Sequence, residues 1–157
     1  MTPTAAPAPK TDNIRTVSIV LAVLFTGMAV AQLFTYETFP SVLTALWLPG
    51  GSSFAHIMAA LVVIFEVFAL PFLLFMRLSP AMRVLSMVSG WLVVAIWLAL
   101  SVWENVMVEI AGNSWLLGDT VHLPVGWWSV LWGIAVGMLV GWASWGMWPL
   151  KKHKHKK

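Results

Sequence analysis

The stretch ALVVIFEVFALPFLLF, residues 60–75, carries a single ionisable residue, Glu66, in an otherwise apolar run. It sits inside a longer block, about Ser52 to Met76, that is long enough to cross a bilayer, for which an α-helix needs about 20 apolar residues. The apolar residues are continuous instead of alternating, which selects a helix over a membrane strand. Insertion scales place an acidic residue at the centre of such a span at roughly 2.5–3.5 kcal/mol. Glu66 is therefore expected to face the interior of a helix bundle, as the neutral acid, and to donate a hydrogen bond. No Lys or Arg lies at comparable depth to form an ion pair. The expected acceptors are Thr26 and the Val67 carbonyl, which Pro71 cannot reach with an N–H.

Three further blocks of the same kind flank this one, at about Thr16–Phe34, Val84–Met107 and Gly126–Trp148. The chain has 157 residues, of which 60 % are hydrophobic and 10 % charged, far from a soluble globular average. The expected fold is all-α: one integral membrane domain, residues 16–150, built as a four-helix bundle. Residues 1–15 are expected to be a disordered cytoplasmic tail, and 151–157, KKHKHKK, a basic one that attracts anionic headgroups. Most of the +3 net charge comes from this tail, so it does not describe a nucleic-acid surface. The absence of cysteine excludes disulfide exchange, thiolate metal sites and iron–sulfur ligation.

Orientation follows from the basic residues. Lys10 and Arg15 precede the first span, Arg77 and Arg83 flank the short link RLSPAMR, and the Lys-rich tail follows the fourth. The other side carries Glu37, Glu109 and Asp119 without Lys or Arg. Both termini are thus expected in the cytoplasm. The triplet AVA at 29–31 has the form of a signal-peptidase site, but the apolar run continues through Leu33 and Phe34, as a retained helix would. Between the first two spans, Val42, Leu43, Leu46 and Trp47 recur at helical spacing, and a short interfacial helix is expected there. Residues 108–125, with Trp115, are expected to form an ordered outer loop.

A rise of about 1.5 Å per residue places Gln32, His56 and Glu104 at one level, roughly 10–13 Å to the outer side of their helix midpoints. Ser86, Gly90, Val94, Trp97, Ser101 and Glu104 recur as one seam of the third span, and His56, Ala59, Val63, Glu66 and Leu70 as one seam of the second. Together these predict an outward-open polar pocket with Gln32, His56, Ser101 and Glu104, walled by Trp97 and Trp103 and floored by Glu66. The competing reading is that the polar residues only meet headgroup water. His56 and Glu104 are expected within hydrogen-bonding or one-water distance of each other. A metal set of His56, His122 and Glu104 lacks any supporting ligand spacing, and no metal or catalytic residue is assigned. Gly133, Gly137 and Gly141 form a double GxxxG ridge, read as a packing seam within the bundle or between copies of the chain. Six tryptophans, from Trp127 to Trp148, form an aromatic belt at the ends of the same span.

FTGMAVAQLF in the first span, the Glu in VVIFEVFAL of the second and RLSPAMRVLSM entering the third give the chain its resemblance to the DoxX/MauE-like family of small bacterial membrane proteins. The chain departs from that pattern at Gln32, where Lys is usual, and at Phe68, Ala69 and Pro71, where glycines are common. The resemblance implies a four-helix bundle in the bacterial cytoplasmic membrane, linked to quinone-coupled or periplasmic redox systems. The expected function is a non-catalytic accessory that holds a lipid- or quinone-like molecule for a membrane redox partner. The alternatives are a structural subunit or homo-oligomer, and a small proton- or substrate-conducting transporter.

Overall fold

The computed structural model describes residues 9–46, 48–107 and 126–147, and all of its regular elements are helices. They are α1 (Asp12–Phe34), α2 (Phe39–Thr44), α3 (Gly51–Leu73), α4 (Pro80–Met107) and α5 (Trp128–Gly146). α1, α3, α4 and α5 are each long and apolar enough to cross a membrane, so the chain is a multi-pass membrane protein. The loop 108–125, with His122, and the basic tail lie outside the described residues, as does Trp47.

Local chemistry sets the helix ends and moves several of them from the expected positions. α1 starts within the expected N-terminal tail, because Thr11 caps it: its hydroxyl accepts from Ile14 N at 3.4 Å, and Asp12 in the first turn suits the positive end of the helix dipole. α3 stops at Leu73, short of the expected Met76. Phe75 takes a left-handed conformation (φ 57°), and Met76 N donates back to Pro71 O at 3.0 Å, a Schellman-type closure. α4 starts at Pro80, ahead of the expected Val84; Ser79 accepts from Met82 N at 3.3 Å, and Pro80 occupies the first turn, where a missing N–H does no harm.

The four long helices close a ring in which α1 and α4 each pack against both α3 and α5. α4 and α5 run antiparallel, with Gly133, Gly137 and Gly141 facing Leu98, Val94 and Trp91 in turn. The ridge is thus placed against α4, with Gly133 buried and Gly137 and Gly141 half-buried. α1 and α5 meet at the end where the described chain begins and ends. There Lys10 Nζ donates to Trp145 O at 3.0 Å and stands 4.4 Å from the Trp145 ring centroid, and Ile14 lies on Gly146. Antiparallel packing brings Arg77 and Arg83 to this same end. At the opposite end α2 packs on α3, and its Phe39 and Leu43, with Leu46 just after the helix, are buried in the common core. Its apolar side therefore faces protein.

Pro71 interrupts the hydrogen bonding of α3, and a serine from α4 mends the ladder beside it. Ser86 Oγ accepts from Phe72 N at 3.0 Å and donates to Phe68 O at 2.6 Å, bridging two groups that a regular helix pairs directly. Proline is tolerated in membrane helices where a neighbouring hydroxyl satisfies the backbone in this way.

Candidate functional site

Three helices bring polar side chains into the core. Gln32 from α1, Glu66 from α3, and Trp97, Ser101 and Glu104 from α4 are all fully buried. Gln32 Nε2 donates to Glu66 Oε1 at 3.4 Å, a long bond. The Trp97 indole lies beside the same carboxyl, and among the described residues its Nε1 closes no hydrogen bond of good geometry. Among the described residues Glu66 Oε2, Ser101 Oγ and both Glu104 carboxylate oxygens also lack a hydrogen-bond partner. Phe25 braces Trp97 edge-on, with ring centroids 5.6 Å apart and an interplanar angle of 69°.

This arrangement corrects the expected partners of Glu66. Thr26 is exposed and donates to Ala22 O of its own helix at 2.7 Å. The carboxyl accepts from Gln32 and does not donate to Thr26 or to the Val67 carbonyl. The reason is side-chain direction. Helical side chains lean towards the N-terminus of their own helix, so on antiparallel α1 and α3 Gln32 and Glu66 lean towards each other across a depth difference.

His56 is also placed differently from expectation. It is exposed, and its Nδ1 lies 2.7 Å from Ser52 O one turn back. The inward line of α3 starts at Ala55 and runs through Ala59, Val62 and Glu66. His56 and Glu104 were expected within hydrogen-bonding or one-water distance; among the described residues no direct hydrogen bond joins them, and Glu104 is buried. The register between α3 and α4, in which Gly90 faces Ala69, puts Glu104 level with the first turns of α3. His56 is at the right depth on the wrong face. Among the described residues no group of three His, Cys, Asp or Glu is placed to hold a metal ion.

Gln32, Glu66, Trp97, Ser101 and Glu104, expected to line an outward-open pocket, are buried, and among the described residues two open grooves are apolar. One, of about 440 Å³, lies along Leu98, Val102 and Val106 of α4. The other, of about 370 Å³, is built by Leu48 and Pro49, by Phe54 and Met58 of α3, and by Ala95, Ile96, Ala99 and Leu100 of α4. Trp103 borders both and is the one expected pocket residue that lines either groove. Its indole Nε1 donates to Leu46 O at 2.9 Å, which fixes the ring as the wall between them. Phe54, Met58, Ala95 and Ala99 were not legible as lining residues, because an apolar residue facing lipid and one facing a lipid-filled groove look alike in sequence.

No family model, curated protein or solved structure matches the chain.

Proposed function

We propose that the protein is a non-catalytic accessory of the bacterial cytoplasmic membrane, with both termini inside, that holds the apolar chain of a lipid- or quinone-like molecule for a membrane redox partner. The observation that carries this reading is the groove of about 370 Å³ between α3, α4 and the connection after α2. It is concave, almost wholly apolar, and assembled from three separate segments with Trp103 held in place. Pockets of this size are typical of small-molecule sites. Its position along two membrane-spanning helices makes a hydrocarbon or isoprenoid chain the fitting occupant. The basic residues gathered at the opposite end of the bundle support an outer location for the groove. The glycine ridge, the main sequence argument for a structural subunit, lies against Leu98, Val94 and Trp91 of α4.

Native mass spectrometry of the full chain, extracted with its own lipids, tests the proposal. The wild type is expected to retain one apolar molecule. Ala99→Phe, which fills the groove from an exposed position, is expected to lose it with the fold unchanged. A wild type that retains nothing, or an Ala99→Phe variant that retains the same molecule, rejects the reading. The mass distinguishes a quinone from a phospholipid.

A further inference from the structure

The end of the bundle opposite the groove carries Arg83, a half-buried cation without a counter-charge among the described residues. It lies in the first turn of α4, three residues after Pro80. Its guanidinium stands over the Phe72 ring of α3, with Cζ 6.0 Å from the ring centroid. Nε is enclosed and has no hydrogen-bond partner among the described residues. The two terminal nitrogens are not enclosed, and they too form no hydrogen bond or ion pair with those residues. Asp12 is the one described acidic residue at this end, and it begins α1, which stands across the ring from α4. The aromatic face thus holds the guanidinium in place, and its neighbours strip water from the inner nitrogen. A partly desolvated cation of this kind is stabilised by an oxyanion at its open edge, and its planar fork of N–H donors suits phosphate.

The surroundings select the carrier of that phosphate. Met82, Val84 and Leu85 beside Arg83, and Met76 in the link before α4, are all exposed and apolar. A charged head on an otherwise apolar surface marks the depth where hydrocarbon gives way to headgroups. Helical side chains lean towards the N-terminus of their own helix, so Arg83 reaches back from about 4.5 Å inside α4 towards the membrane surface. The glycerol and acyl chains of a lipid find apolar neighbours here, whereas free phosphate finds only the guanidinium.

We propose that Arg83 binds the phosphate of an anionic membrane lipid, with phosphate oxygens on its terminal nitrogens and the acyl chains against the exposed apolar residues beside it. Arg77, exposed in the same link, adds attraction without a fixed contact. The lipid comes from the leaflet on the side of the termini. The site is therefore distinct from the groove, which lies towards the other end of α3 and α4, and does not depend on its occupant.

Native mass spectrometry tests the site on the full chain in micelles holding equal amounts of phosphatidylglycerol and phosphatidylcholine with the same acyl chains. Wild type is expected to retain phosphatidylglycerol about tenfold over phosphatidylcholine, whose trimethylammonium group brings a further cation to a basic end. Arg83→Gln is expected to abolish most of that preference. Arg83→Lys keeps the charge but not the fork, and is expected to reduce it about threefold or more. Arg15→Gln removes the same charge from an exposed position at the same end and is expected to change it less than about twofold, because exposed charges are screened. Ala99→Phe, which fills the groove, is expected to leave it unchanged. Equal retention of the two lipids by wild type, equal losses in Arg15→Gln and Arg83→Gln, or an unchanged preference in Arg83→Lys overturns the proposal. Loss of the preference in Ala99→Phe would place the phosphatidylglycerol in the groove and overturn it as well. Excess inorganic phosphate is expected to leave phosphatidylglycerol bound; displacement would assign Arg83 to free phosphate and overturn the lipid.

Discussion

Gln32 and Glu66 meet because antiparallel helices lean their side chains towards each other, and that pairing sets what each residue is worth. Interhelical hydrogen bonds in membranes average about 0.6 kcal/mol and reach about 1.7 kcal/mol. At 3.4 Å the Gln32–Glu66 bond belongs at the lower end. Glu66→Gln keeps a polar group of the same shape and should change stability by less than about 1 kcal/mol. Glu66→Leu leaves Gln32 without this bond and should cost about 1–3 kcal/mol, whereas adding Gln32→Leu removes both partners and should restore much of the loss. Reversible unfolding of the three variants in mixed micelles measures the series. If Glu66→Leu is as stable as wild type, the pair does not pin the bundle. The presence and depth of these residues were legible in the sequence, since a carboxyl among apolar residues cannot be mistaken for packing. Their partners were not, because depth follows from counting along a helix while the face depends on tilt and rotation that only the neighbours set.

At the scale of the elements, the four long helices were evident because bilayer thickness imposes a length that few other structures share. Their ends were less so. Thr11, Ser79 and the left-handed Phe75 act through single backbone contacts, and a count of apolar residues does not register them. The repair at Pro71 is similar: Ser86 was visible as one small residue on a seam, and its bonds to Phe72 N and Phe68 O were not. Ser86→Ala should cost about 1–2 kcal/mol, since it leaves a buried backbone N–H and C=O with poorer partners. Adding Pro71→Ala should recover part of that loss by returning an N–H to the ladder. Equal stability of Ser86→Ala and wild type in the same micelles would show that the helix closes without the serine. The α4–α5 seam makes a graded prediction. A Cβ at Gly133 would lie 2.7 Å from Leu98 Cδ2, at Gly137 3.0 Å from Val94 Cγ1, and at Gly141 3.4 Å from Trp91 Cη2. Substitution to Ala should therefore destabilise in the order Gly133, Gly137, Gly141, over a range of about 0–3 kcal/mol. A reversed order would mean that α4 and α5 do not pack in this register.

The whole molecule depends on the contact that closes the ring, where the first described turn of α1 meets the last of α5. Ile14 is 2 % exposed although its neighbours Asp12, Asn13 and Arg15 are all at the surface. It seats itself on Gly146, where any Cβ would fall 2.7 Å from Ile14 Cγ2 and nearer still to its Cδ1. Lys10 reinforces the joint from outside with its bond to Trp145 O. That bond is exposed, so it should contribute less than about 1 kcal/mol, and Lys10→Ala should be nearly neutral. Gly146→Leu is different: it forces Ile14 out of its seat, and overpacking of this kind costs about 1–3 kcal/mol. Ile14→Ala alone should cost about 2–5 kcal/mol through the cavity it leaves. In the double variant the new Leu fills the space vacated by Ile14, so the combined loss should be smaller than the sum of the single losses by about 1 kcal/mol or more, the size of coupling expected for residues in contact. A double-mutant cycle by unfolding in micelles measures this coupling. Strict additivity would place α1 and α5 apart at this end, and the four helices would then form an open row with α1 and α5 at its edges.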